Sequence, residues 1–161
     1  MAGHRDVASG GPPNRPAHAA PWTRYWRAMS QKYVEIVRQI YERWGRGDFR
    51  AGSELYDPYV LLVLRPEFPD AGAYRGPDEI RGYMREDFLV DLEGAVIVGE
   101  EFLDAGDSVV VRVNQRATGA GSGAAVGMRY YQVWTFRGRS VIRIESIRGR
   151  EEALEAAGLR D

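Results

Sequence analysis

The residues able to do chemistry are few, and their types narrow the possibilities at once. The chain has no cysteine, and its two histidines, His4 and His18, both lie near the N-terminus. Disulfides, thiolate nucleophiles, cysteine metal sites, a serine-histidine triad and a histidine metal site in the core are therefore excluded. Neighbouring carboxylates, the usual pairing for general acid-base work, occur at Glu100-Glu101, Asp104/Asp107 and Glu151-Glu152. Adjacent residues on a strand point to opposite faces, and all three pairs sit in turns or element ends, so they read as solvated. The run Gly119-Ala-Gly-Ser-Gly123 has the composition of a phosphate loop. Such loops lead from a strand into a helix, whose terminal N–H groups meet the anion. Strand-like sequence flanks this run on both sides, so it reads as a hairpin loop. No metal site and no cofactor is expected.

Gln132 is the polar residue that stands out. In the segment Ala124 to Phe136, one alternating set is Met128, Tyr130, Gln132, Trp134 and Phe136, and the other is Arg129, Tyr131, Val133 and Thr135. The first set is bulkier and more apolar, so it should face inward. Gln132 then needs a hydrogen-bond partner or a ligand. In the next strand Ile142, Ile144 and Ser146 share one face, and Val141, Arg143, Glu145 and Ile147 the other. Ser146 then falls near Gln132. Either the two satisfy each other as core polar groups or they present polar atoms to a bound molecule.

The elements that must position these residues follow from length and periodicity. A chain of 161 residues and 18.1 kDa, 44% hydrophobic and 28% charged, is one globular domain. No apolar run nears the roughly 20 residues of a membrane helix, and a net charge of -1 gives no general pull toward nucleic acid. The cytoplasm is the default location. Lys32 is the only lysine; the other basic residues are arginine, which reads first as coding bias. Residues 1–28, rich in proline and glycine and about +3 in charge, read as a disordered extension. Within it Trp22, Tyr25 and Trp26 can dock on the body or on a partner. A natural start at Met29, with a translated leader upstream, is the duller reading.

The domain proper, 29–161, opens with Ser30 as the cap of a helix whose apolar face is Tyr33, Val37, Ile40 and Trp44, ended by Gly45 and Gly47. Asp48 caps a short second helix through Leu55. Tyr59 to Leu64 reads as a strand, Arg65 to Gly72 as an irregular loop, and Gly76-Pro77 as the opening of a helix with Ile80, Tyr83, Met84 and Phe88 inward. From Ala95 the period falls to two, and three turns divide the rest into four strands, an antiparallel meander. Arg150 to Ala157 makes a terminal helical turn. A curved antiparallel sheet with helices on one face is an α+β architecture, and a pocket forms where the helices do not seal the concave side. Val110, Arg112, Asn114, Arg116, Arg129, Tyr131 and Arg143 make a mixed outer face suited to a homodimer. Arginines are not interleaved with exposed aromatics in an RNA-binding pattern, so no nucleic acid is expected.

The residues 29–44, MSQKYVEIVRQIYERW, followed by Gly47-Asp48-Phe49, resemble the nuclear-transport-factor-2-like superfamily, and within it the bacterial SnoaL-like proteins. Pro66-Glu-Phe-Pro-Asp-Ala-Gly72, Tyr74-Arg-Gly76, Val133-Trp-Thr-Phe136 and the segment 150–159, REEALEAAGL, match as well, so the resemblance spans about residues 29–159. It implies a cone-shaped α+β barrel with a deep pocket, usually dimeric, in a group holding ketosteroid isomerases, polyketide cyclases, dehydratases, epoxide hydrolases and non-catalytic binding domains. The isomerase pattern places its tyrosine on Ile40, its base on Leu64 and its buried acid on Gln132, so all three are replaced; a shift of one residue brings in Tyr41 but supplies no base. The epoxide-hydrolase pattern finds residue types in Arg112, Asn114 and Tyr130 but no paired inward aspartate.

Three functions are weighed. In the first, Ile40, Trp44, Leu62, Leu64, Phe88, Tyr130 and Trp134 surround a hydrophobic small molecule without chemistry, and Gln132 with Ser146 orients it. In the second, Asp70 or Glu67, in the loop at the pocket mouth, acts as a base and Tyr41 or Tyr130 as a proton donor. Aromatic walls would raise the pKa of such a carboxylate by desolvation. In the third, Trp22, Trp26 and the arginine-rich outer face assemble with a protein partner.

Overall fold

The computed structural model describes residues 21–159. Helix α1, Pro21–Trp44, is 24 residues long and buries Tyr33, Val37, Ile40, Tyr41 and Trp44 against the sheet. It begins at Pro21 and not at Ser30. Proline is tolerated in a first helical turn, whose N–H groups lack partners anyway, and Trp22, Trp26 and Met29 carry the apolar stripe backward at helical spacing. Residues 21–28 of the expected extension are thus helical, with Trp22, Tyr25 and Trp26 exposed; residues 1–20 of it lie outside the described residues. Ser30 is no cap: its Oγ sits 3.0 Å from the Arg27 carbonyl and 2.9 Å from the Asp104 carboxylate, tying the helix to a hairpin.

The expected second helix shrinks to a single tight turn, Ser53–Leu55. Asp48 instead holds Arg43 at 2.6 Å and accepts the backbone N–H of Arg50. Gly52 has φ +89, and a Cβ there would lie 2.8 Å from Ile40 Cδ1, so only glycine lets this loop close on α1.

Six strands form one sheet: β1 Tyr56–Leu64, β2 Gly72–Arg75, β3 Leu92–Ala105, β4 Ser108–Gly119, β5 Ala125–Arg137 and β6 Ser140–Ile147, in the order β2-β1-β6-β5-β4-β3. The meander β3 to β6 is antiparallel throughout. The sheet as a whole is mixed, because β1 pairs parallel to β6, with Leu62 opposite Ile144 and Leu64 opposite Ser146. β2, which starts at the last residue of the expected loop and runs through three residues given no element, adds an antiparallel edge to β1. Helix α2, Gly76–Tyr83, passes into a π-helical turn, Met84–Phe88. It buries Ile80, Tyr83 and Phe88.

A register shift between Thr135 and Phe136 in the β5–β6 pairing places Val141 opposite Phe136. Val141, not Ile142, therefore enters the main core. The outer face is partly covered too. Helix α3, Arg150–Ala156, lays Ala153 over Val110, Val133 and Ile147 as a second small core. The uncovered part keeps Glu100 between Arg129 at 3.4 Å and Arg112 at 3.6 Å. No helix among the described residues is long and apolar enough to cross a membrane.

Candidate functional site

The concave side of the sheet, the end of α1 and the α2–π segment enclose a cavity of about 730 Å³. Trp44, Leu62, Leu64, Phe88, Tyr130, Gln132 and Ser146 lie on its wall, joined by Phe68, Met84 and Met128. Ile40 and Trp134 do not. Ile40 packs beneath Gly52, and Trp134 is fully buried one layer behind the wall.

A chain of hydrogen bonds runs from Trp134 and Tyr41, behind the wall, to Gln132 and Ser146 on it. The Trp134 indole N–H donates to the Tyr41 hydroxyl at 2.9 Å, Tyr41 donates to the side-chain carbonyl of Gln132, and the Gln132 amide donates to Ser146 Oγ at 3.1 Å. The helix geometry explains the first link: Tyr41 lies between Val37 and Trp44 on the buried face, and its ring meets Trp134 edge-on at 5.9 Å. Tyr41, rather than Ile40, therefore carries a hydroxyl to position 132. An amide nitrogen carries two hydrogens and Ser146 accepts one. Among the described residues neither the second hydrogen nor the Ser146 hydroxyl proton has a further side-chain partner, and both residues line the cavity.

Asp70 is the one Asp or Glu on the described wall. Tyr83 donates its hydroxyl to Asp70 Oδ2 at 2.5 Å. Glu67, from the same loop, is exposed and lies off the wall. Tyr130 is on the wall, but its proton goes to Gln115 at 2.8 Å. Burial first, then the hydrogen bond to Asp70 and its charge, hold Tyr83 far above the ordinary tyrosine pKa. Burial and the Asp70 charge act likewise on Tyr130. Burial dominates at Tyr41, outweighing the lowering effect of the Trp134 hydrogen bond. These phenols are poor acids whose protons are already committed. Among the described residues no group of three His, Cys, Asp or Glu gathers as a metal site.

The sequence reading missed the Tyr83 contact with Asp70, because Tyr83 belongs to the apolar stripe of α2 and read as core. It also missed Arg50, Arg81 and Arg85, which reach the wall from exposed positions.

The SnoaL-like domain family matches residues 37–144, about two thirds of the chain. The chain belongs to this family. Its match takes in α1 from Val37, both polar clusters apart from Ser146, and the sheet up to Ile144. No curated protein matches the chain in sequence. Solved structures match over about four fifths of the chain. An NTF2-like protein of unknown function from Burkholderia pseudomallei is 20% identical with a TM-score of 0.62, covering 78% of this chain and 95% of its own. A second NTF2-like protein, from Burkholderia thailandensis, is 23% identical at TM-score 0.61, covering 79% and 97%. A hypothetical protein with a ketosteroid isomerase-like fold from Catenulispora acidiphila, solved in complex with trimethylamine, is 18% identical at TM-score 0.59, covering 78% and 94%. These likenesses establish the nuclear-transport-factor-2-like fold of this SnoaL-like protein. The fold hosts many functions, so function rests on the site.

Proposed function

We propose that this SnoaL-like protein binds a hydrophobic small molecule in the cavity, oriented by an oxygen that accepts from the Gln132 amide and the Ser146 hydroxyl. The observation that carries this reading is the pairing of a cavity of about 730 Å³, walled mainly by aromatic and aliphatic side chains, with one unused Gln132 N–H on its wall. Pockets of that size and lining suit a drug-sized apolar ligand with a few fixed polar contacts. Thermal unfolding with a panel of neutral polycyclic ketones and steroids tests it. A binder at about 100 times its dissociation constant adds about 2.7 kcal/mol of stability. A panel that leaves the midpoint unmoved speaks against the reading.

One observation favours a second reading, an acid-base enzyme. Asp70 lies on the wall with one oxygen held by Tyr83, so its other oxygen is available as a base toward a carbonyl compound anchored at Gln132. Tyr41 and Tyr130, considered as donors from the sequence, act structurally in this reading. Glu67 takes no part. A homodimer through the uncovered outer face around Arg112, Arg116 and Arg129 accompanies both readings, and sedimentation equilibrium tests it.

A further inference from the structure

The wall residues that are also exposed mark the mouth of the cavity: Gly47, Arg50, Ser53, Arg81 and Arg85. Every charged side chain among them is an arginine. The wall's carboxylate, Asp70, is half-buried and hydrogen-bonded by Tyr83, so it belongs to the inner wall and not to this exposed rim. Arg81 pairs with Asp78 at 2.7 Å and Arg85 with Glu86 at 3.4 Å. The two acids are 96% and 69% exposed. Exposed pairs of this kind are weak and readily exchanged. Among the described residues Arg50 makes no close ion pair: its near neighbour Asp48 feels its charge but is held by Arg43 at 2.6 Å. Guanidinium forks match carboxylate and sulfonate oxygens two at a time.

We infer that the cavity takes an amphiphilic organic anion, with the apolar body inside and the anionic head at the mouth on Arg50 and Arg85, with Arg81 beside them. The inference rests on the cavity-binding reading and adds a ligand class and an orientation. The long apolar wall inside receives the hydrocarbon or ring system. The Asp70 carboxylate in that wall repels an anion from the interior and so fixes which end enters first.

A matched pair of fluorescent probes tests this on the full chain. 8-Anilinonaphthalene-1-sulfonate and N-phenyl-1-naphthylamine share one ring skeleton and differ in the sulfonate. At low salt the sulfonate should bind about tenfold tighter, the effect of one good charge-assisted contact. The advantage should shrink at about 1 M salt, where the screening length is about 3 Å. The double variant Arg50→Gln, Arg85→Gln should erase the advantage and leave the neutral probe unchanged, while Arg148→Gln, an exposed arginine off the wall, changes neither. Equal affinities, tighter binding of the neutral probe, or a sulfonate advantage that survives the double variant would overturn the inference while leaving cavity binding intact. Failure of both probes to bind would overturn the cavity reading and this inference with it.

Discussion

The Tyr41 hydroxyl, on α1, donates its proton to the side-chain carbonyl of Gln132, on β5, and thereby fixes which end of that amide faces the cavity. With the carbonyl turned toward the helix, the amide nitrogen points along the sheet to Ser146 and offers its second hydrogen to a ligand. The same hydroxyl accepts from Trp134. One phenol thus satisfies two buried polar groups and sets the polarity of the cavity floor.

Tyr41→Phe strands the Gln132 carbonyl and the Trp134 N–H. A buried polar group left without a partner costs about 1–3 kcal/mol, so the variant should lose about 3 kcal/mol in urea unfolding. A loss below about 1 kcal/mol would mean that water or a rotated amide replaces the phenol.

Stability should fall in alkaline solution. Tyr41, Tyr56, Tyr83 and Tyr130 all have folded-state pKa values raised above 10.0, with burial the largest cause at each. The folded chain then holds protons that the unfolded chain gives up. Their contribution is fully present below pH 10 and is lost as pH rises through the folded-state values. The slope is about 1.4 kcal/mol per pH unit for each tyrosine that stays protonated. Unfolding midpoints between pH 8 and about 11 measure it, and Tyr130→Phe should flatten the slope. A curve level to the top of that range would contradict the burial of these phenols.

Asp70→Asn separates the two functional readings. If Asp70 is a base, a cyclic ketone held in the cavity in heavy water should take up deuterium beside its carbonyl, and the variant should slow this about 100-fold or more. Affinity for the ketone should change little. Uptake that is absent in the natural chain, or equal in the variant, would leave binding without Asp70 chemistry. Tyr83→Phe should have the smaller effect, since it frees the carboxylate without removing it.

The meander and the Gln132–Ser146 meeting were legible in the sequence because period-two alternation fixes which side chains share a face. Gln132 stood out as the one amide in an apolar set. Val141 escaped because a register shift at Phe136 exchanges it with Ile142. β2 escaped because four half-exposed or exposed residues carry no period. The helix start escaped because Pro21 reads as a breaker and Trp22, Tyr25 and Trp26 in its first turns are exposed. The parallel pairing of β1 with β6 depends on strands 80 or so positions apart, which local pattern does not encode. The Tyr83–Asp70 bond and the arginine mouth are contacts of tertiary structure: each residue alone reads as core stripe or solvated face.

The central claim is that the cavity holds an apolar molecule, and the most direct measurement is a fluorescence titration with N-phenyl-1-naphthylamine of the natural chain beside Leu64→Trp. Leu64 is buried on the cavity wall, and an indole there fills space that a ligand needs. Ile144→Phe, on the neighbouring strand, provides an independent filling of the same space. The account predicts saturable binding to the natural chain, weakened about tenfold or more in both filled variants, with unfolding midpoints no lower than the natural one. Saturable binding of equal strength in the filled variants, or none in the natural chain, would contradict it.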